Sequence, residues 1–205
     1  HPELGPILPD EFILLAGRLG LLVHLDQIVL RRACTELAEF IENGSIDYFS
    51  VNASPSDVAS LGYARNLLNI LEEYKIDPNA VLIEIIETAV MEKSQTARSN
   101  LEELSAAGIK IALDDFGSGY ANYRTLLDLP VNVLKVDRSL INTINERPHL
   151  IDFLVSIIHM AKALGASTVC EGIATEEEKI LAETLGFDAL QGFLLSRPVS
   201  LAPLR

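Results

Sequence analysis

Six times along this chain a short, almost unbroken apolar run gives way to a stretch with helical spacing, the last with little helix. The runs cover Ile46–Asn52, Val81–Ile86, Ile109–Asp115, Asn132–Val136, Ser167–Cys170 and Asp188–Leu190. Strand followed by helix, repeated, implies a parallel sheet with right-handed crossovers. Strands that are apolar at consecutive positions are expected where both faces are covered. The fold class that follows is α/β. At 205 residues one domain with a sizeable core is expected, and no linker, low-complexity segment or internal repeat divides it.

Local signals set the helices. Asp10 can cap a first short helix that Gly17 to Gly20 end, and Asp26 a second running to about Ile41. In the second, Ile28, Val29, Leu37, Phe40 and Ile41 should face inward, with Gly44 as the stop. Ser54-Pro55-Ser56-Asp57 has the form of a helix start, leading to one helix as far as Tyr74. Further helices are expected over Gln95–Ala107, Asn122–Asp128 and His149–Leu164. Another starts at the capping-box pair Thr175 and Glu178 and runs to Leu185.

Composition excludes some functions. The net charge of −13 argues against a nonspecific nucleic-acid surface, which would need a basic face. It permits a phosphate substrate if metal ions stand between carboxylate and phosphate. Cys34 and Cys170 form no metal or disulfide motif and fit buried thiols in a reducing cytoplasm. Charges interrupt every apolar stretch before the ~18 residues of a membrane span.

The chemistry sits at the strand ends. The run from Ile109 stops in two adjacent carboxylates, Asp114 and Asp115, followed by Phe116, Gly117, Ser118, Gly119 and Tyr120. Two such groups repel unless one is protonated or a cation lies between them. Asn52, Glu84, Lys135, Glu171 and Gln191 occupy comparable places on the other strands. In a closed β/α barrel all these ends meet at one rim. Carboxylates and an amide oxygen are hard donors suited to Mg²⁺ or Mn²⁺, and the set points to metal-assisted hydrolysis of a phosphate ester. Taken singly, Asn52, Glu171 and Gln191 have turn explanations, and Glu87 could be an exposed helix-start acid. Glu84 within an apolar strand is harder to explain that way, because an unpaired buried carboxylate is costly. Their joint occurrence favours a site. His1, His24, His149 and His159 fall at no strand end and are expected at the surface or in packing. The Gly117-Ser118-Gly119 turn lacks the Lys-Ser/Thr of a phosphate loop.

The motifs DDFGSGY, LKVDRSLI, CEGIAT and LQGFLLSRPV, with HPELGPILPDEF, VNAS and IEIIET, resemble those of EAL domains, bacterial phosphodiesterases of cyclic di-GMP. The resemblance runs over nearly the whole chain, 1–205, in unbroken order. It implies a TIM-type barrel that opens cyclic di-GMP to linear pGpG with two Mg²⁺ or Mn²⁺ ions. Asn52, Glu84 and Asp114 would hold one ion, and Asp114 with Asp115 the second. Lys135 and Glu171 would handle the attacking water, Glu171 as base or further metal contact. Gln191 would complete the site. Glu87 would anchor the loop after Asp115, through which a homodimer is expected. A cytoplasmic setting, with a regulatory or GGDEF domain upstream, would fit such a protein.

Three departures bear on activity. The family's Glu-Ala-Leu segment, whose glutamate is a metal ligand, would lie upstream of His1, together with two barrel strands. The resemblance therefore implies a barrel lacking its first two strands, with low activity in this piece alone. Ile86 stands where the family usually has Thr, and Ala174 where it usually has Glu. The alternatives are a degenerate domain that binds cyclic di-GMP without turnover, and an interaction scaffold.

Overall fold

The computed structural model describes residues 3, 5, 7–86, 95–117, 123–144 and 147–201. Two helices, α1 (Pro9–Arg18) and α2 (Leu22–Glu42), precede the sheet. Then follow β1 (Phe49–Ala53), α3 (Pro55–Val58), α4 (Tyr63–Glu73), β2 (Val81–Ile86), α5 (Gln95–Ala106), β3 (Lys110–Phe116) and α6 (Tyr123–Asp128). The chain continues through β4 (Val133–Val136), α7 (Arg138–Asn142), α8 (Leu150–Ala163), β5 (Ser167–Cys170), α9 (Glu176–Leu185) and β6 (Ala189–Leu190).

All six strands pair in parallel, in the order of the sequence. Right-handed crossovers that always step the same way put every connecting helix on one face. The other face is left free to curve inward, which is how a β/α barrel wall is built. Burial follows that division. Ile83, Ile85, Ile111, Leu113, Leu134, Val136 and Cys170 point to the helix side and join one core with Leu71, Leu101, Leu154 and Ile157. A Leu113→Ala type truncation in such a core costs about 2–5 kcal/mol.

Several local expectations need correction. α1 starts at Pro9, so Leu8 rather than Asp10 holds the cap position. α2 starts at Leu22, which places Asp26 inside the helix rather than at its start. Ile28 and Val29 are exposed, and the buried stripe of α2 is Leu30, Cys34 and Phe40. The helix expected from Ser54 to Tyr74 is two helices. The Ser54 hydroxyl caps α3 through the Asp57 N–H, and a turn at Gly62 in left-handed backbone (φ +78°) separates α3 from α4. α7, capped by Asp137, was not expected; five residues carry too little periodicity to announce a helix.

Other expectations hold. The capping box of Thr175 and Glu178 is present at the start of α9. His24, His149 and His159 are exposed. Cys34 and Cys170 are buried and free, and burial pushes their thiols up to about 11 and about 12. No helix among the described residues is long and apolar enough to cross a membrane.

Candidate active site

Partnered residues in parallel strands turn their side chains to the same face. Asn52 pairs with Glu84, Ile86 with Asp114, Ala112 with Val133, Lys135 with Val169, and Val169 with Ala189. Alternation along each strand then puts Asn52, Glu84, Asp114 and Lys135 on the concave face. Glu171 and Gln191, two residues beyond Val169 and Ala189, continue the row. Side chains up to 139 residues apart in sequence thus share one end of the sheet.

The row closes on Lys135. Its Nζ lies 2.7 Å from Glu84 Oε2, 2.9 Å from Asp114 Oδ1 and 2.7 Å from Glu171 Oε1. The lysine side chain is only 6% exposed. Burial alone would lower its pKa, but the contacts with Glu171, Glu84 and Asp114 outweigh that and hold the ammonium above the ordinary lysine range. Two carboxylates at the rim are raised as well. Burial, together with the charges of Asp114 and Glu84, raises Glu171 despite its bond to Lys135. Asp115 is raised by burial first, then by the charges of Asp114 and Asp137.

A β-bulge brings the two aspartates together. Leu113 pairs with Leu134 and Phe116 with Val136, so Asp114 and Asp115 both stand opposite the single Lys135. Asp115 takes left-handed backbone, φ +54°, which undoes the alternation that would send it to the other face. Oxygens of Asp114, Asp115 and Glu171 consequently lie within 4.8 Å of one another. Adjacent carboxylates are visible in a sequence, whereas the extra residue that aims both inward has no signature short of the pairing itself.

This donor set fits a metal centre. Four carboxylates face one ammonium, which leaves negative charge in excess. Asp114 Oδ1 is buried, lies 2.9 Å from Lys135 Nζ and has no hydrogen-bond partner among the described residues. Lone pairs remain on hard oxygen donors, as a divalent cation requires. Asn52 and Gln191 mark the two ends of the row and are exposed. Glu87, Ser118, Gly119 and Tyr120 lie outside the described residues.

The profile of the EAL domain family matches residues 1–198. The chain belongs to the EAL domain family. The bifunctional diguanylate cyclase/cyclic di-GMP phosphodiesterase MucR of Pseudomonas aeruginosa is 34% identical over 200 residues, which are 97% of this chain and 29% of MucR. Cyclic di-GMP phosphodiesterase RocR of the same organism is 29% identical over 97% of this chain and 51% of its own length. The chain thus spans only part of either curated relative. The solved MucR phosphodiesterase in complex with c-di-GMP superposes with a TM-score of 0.91 at 33% identity, covering 100% of this chain and 83% of that one.

Within this EAL domain the glycines after Glu171 and Gln191 have their own reasons. Gly172 adopts φ +68°, and a Cβ there would sit 2.5 Å from Arg138 Cβ. A Cβ on Gly192 would meet the Ile173 carbonyl at 2.1 Å, because Ile173 N–H donates to the Gln191 carbonyl. Both turn explanations are therefore true of the glycines, while the preceding side chains keep their places at the rim. Ile86 pairs with Asp114, so an apolar branch stands beside the carboxylate. Ala174 N–H donates to Glu178 Oε2 at 2.7 Å, so the position is held by backbone alone. Asp137 had no assigned role; it caps α7, and its charge bears on Asp115.

Proposed function

We propose that this chain hydrolyses cyclic di-GMP to linear pGpG, using two divalent ions, Mg²⁺ or Mn²⁺, held by Asn52, Glu84, Asp114, Asp115 and Glu171. The observation that carries the reading is one buried lysine gripped by Glu84, Asp114 and Glu171 beside the Asp114–Asp115 bulge. The names of MucR and RocR, and the c-di-GMP bound to the former, support the substrate.

When bound, the ions would lower the pKa of water and offset charge on the phosphate. Glu171, more basic than an ordinary carboxylate, is suited to take the proton of the attacking water. Lys135 stays charged, keeps Glu171 in place and can neutralise phosphate oxygen as the diester bond opens. Gln191 would complete the rim, and Glu87 would support the loop after Asp115. A homodimer through that loop, a GGDEF or other regulatory domain elsewhere in the full protein, and a cytoplasmic setting complete the proposal. A receptor without turnover is the less favoured reading, because the acidic set is intact at Glu84, Asp114, Asp115 and Glu171.

The test is incubation with cyclic di-GMP and Mn²⁺, with chromatography for pGpG. Glu171→Gln should lower turnover at least 100-fold with nucleotide binding retained. Tight binding by the unaltered chain with no product would support the receptor instead.

A further inference from the structure

A second carboxylate pair lies away from Lys135. Asp57, in α3, is only 1% exposed, and its side chain is in hydrogen-bond contact with Asp26 of α2 and with Ser54. Asp26 Oδ2 accepts the Ser54 N–H at 3.2 Å. Asp57 Oδ1 is buried with no hydrogen-bond partner among the described residues. Both acids border a cavity of about 40 Å³ whose other polar walls are Gln27, Asn52, Ser60, Tyr63 and Asn66. Among the described residues, no lysine, arginine or histidine lines it.

Two carboxylates in contact inside a protein need positive charge between them. A shared proton would serve the contact, while the unpartnered Asp57 Oδ1 and the polar cavity beside it also admit an ion. The cavity has room for one water-sized occupant. A hard cation answers both needs, and the amide and hydroxyl oxygens around it are donors of the matching kind.

We propose that Asp26 and Asp57 form a divalent-cation site that ties α2 to α3. Asn52 borders the same cavity. Occupancy would therefore stiffen the strand end that carries a residue of the phosphodiester site.

The test uses the full chain, stripped of metal and titrated calorimetrically with Ca²⁺ alone and Mg²⁺ alone. The background Asp114→Asn, Asp115→Asn, Glu171→Gln removes the ligands at the bulge. One ion per chain should still bind with at least one of the two, and adding Asp57→Asn should weaken it at least tenfold. No binding by the triple variant, or binding that survives Asp57→Asn, overturns the proposal. A second measurement avoids the triple variant. Tb³⁺ emission excited through tyrosine should drop in Tyr63→Phe and in Asp57→Asn of the otherwise unaltered chain. Emission unchanged in both overturns the proposal. Neither readout depends on whether the chain hydrolyses cyclic di-GMP.

Discussion

Lys135 shows how one residue can be both scaffold and reagent. Three carboxylates tolerate each other's company because its ammonium is within 2.9 Å of each. Lys135→Met keeps much of the bulk and removes the charge. In chelator it should destabilise the fold by about 3 kcal/mol, since breaking a buried pair strands the partner charges. Mn²⁺ should restore part of that loss, and thermal unfolding with and without the ion measures both. The sequence made Glu84 legible, because an unpaired carboxylate inside an apolar strand is costly, whereas its pairing with Lys135 came only from the geometry. Asp57 is the first-turn acid that the helix start at Ser54 announces, but its burial against Asp26 was not legible. Nothing local distinguishes an acid at a helix start facing water from one facing Asp26, which lies 31 positions earlier.

At the scale of elements, the link between α2 and α3 carries a pH dependence. Burial first, and then Asp26, push Asp57 up to about 7. Tyr63, whose hydroxyl is itself raised by burial and by the two acids, is the other titratable group beside the pair. A carboxyl raised on folding holds its proton better in the native state. It therefore costs nothing below about pH 4, and stability is lost as pH rises from there through 7. In chelator, Asp57→Asn should remove that decline. It should exceed the unaltered chain by on the order of 2 kcal/mol at pH 8, read from urea midpoints at pH 5 and 8. Element boundaries were legible where a chemical signal marks them, as at the capping box of α9. They were missed at α2, whose start at Leu22 has no side-chain cap, so that Asp26 drew the boundary too late. The five residues of α7 left no readable period.

Across the whole molecule, strand order was the most legible property, because alternation and handedness leave few ways to lay six parallel strands. The convergence of their ends followed from it. The charge of −13 adds a general consequence, since part of it is gathered at one rim. Mn²⁺ at one hundred times its dissociation constant should stabilise the chain by about 2.7 kcal/mol per site. For a chain of this size that is a rise in melting temperature of roughly 5–10 °C. Differential scanning calorimetry would check it, and Asp114→Asn with Asp115→Asn should remove most of the rise.

The extra residue in β3 has a consequence for tolerance to length change. Deleting either Asp114 or Asp115 would let Leu113 to Phe116 run in step with Leu134 to Val136. The regular ladder would then lack one acid at the rim, or turn the tip of the strand inside out. A scan of single-residue deletions should therefore find loops that forgive the loss of a residue, and one step, two residues long, that does not.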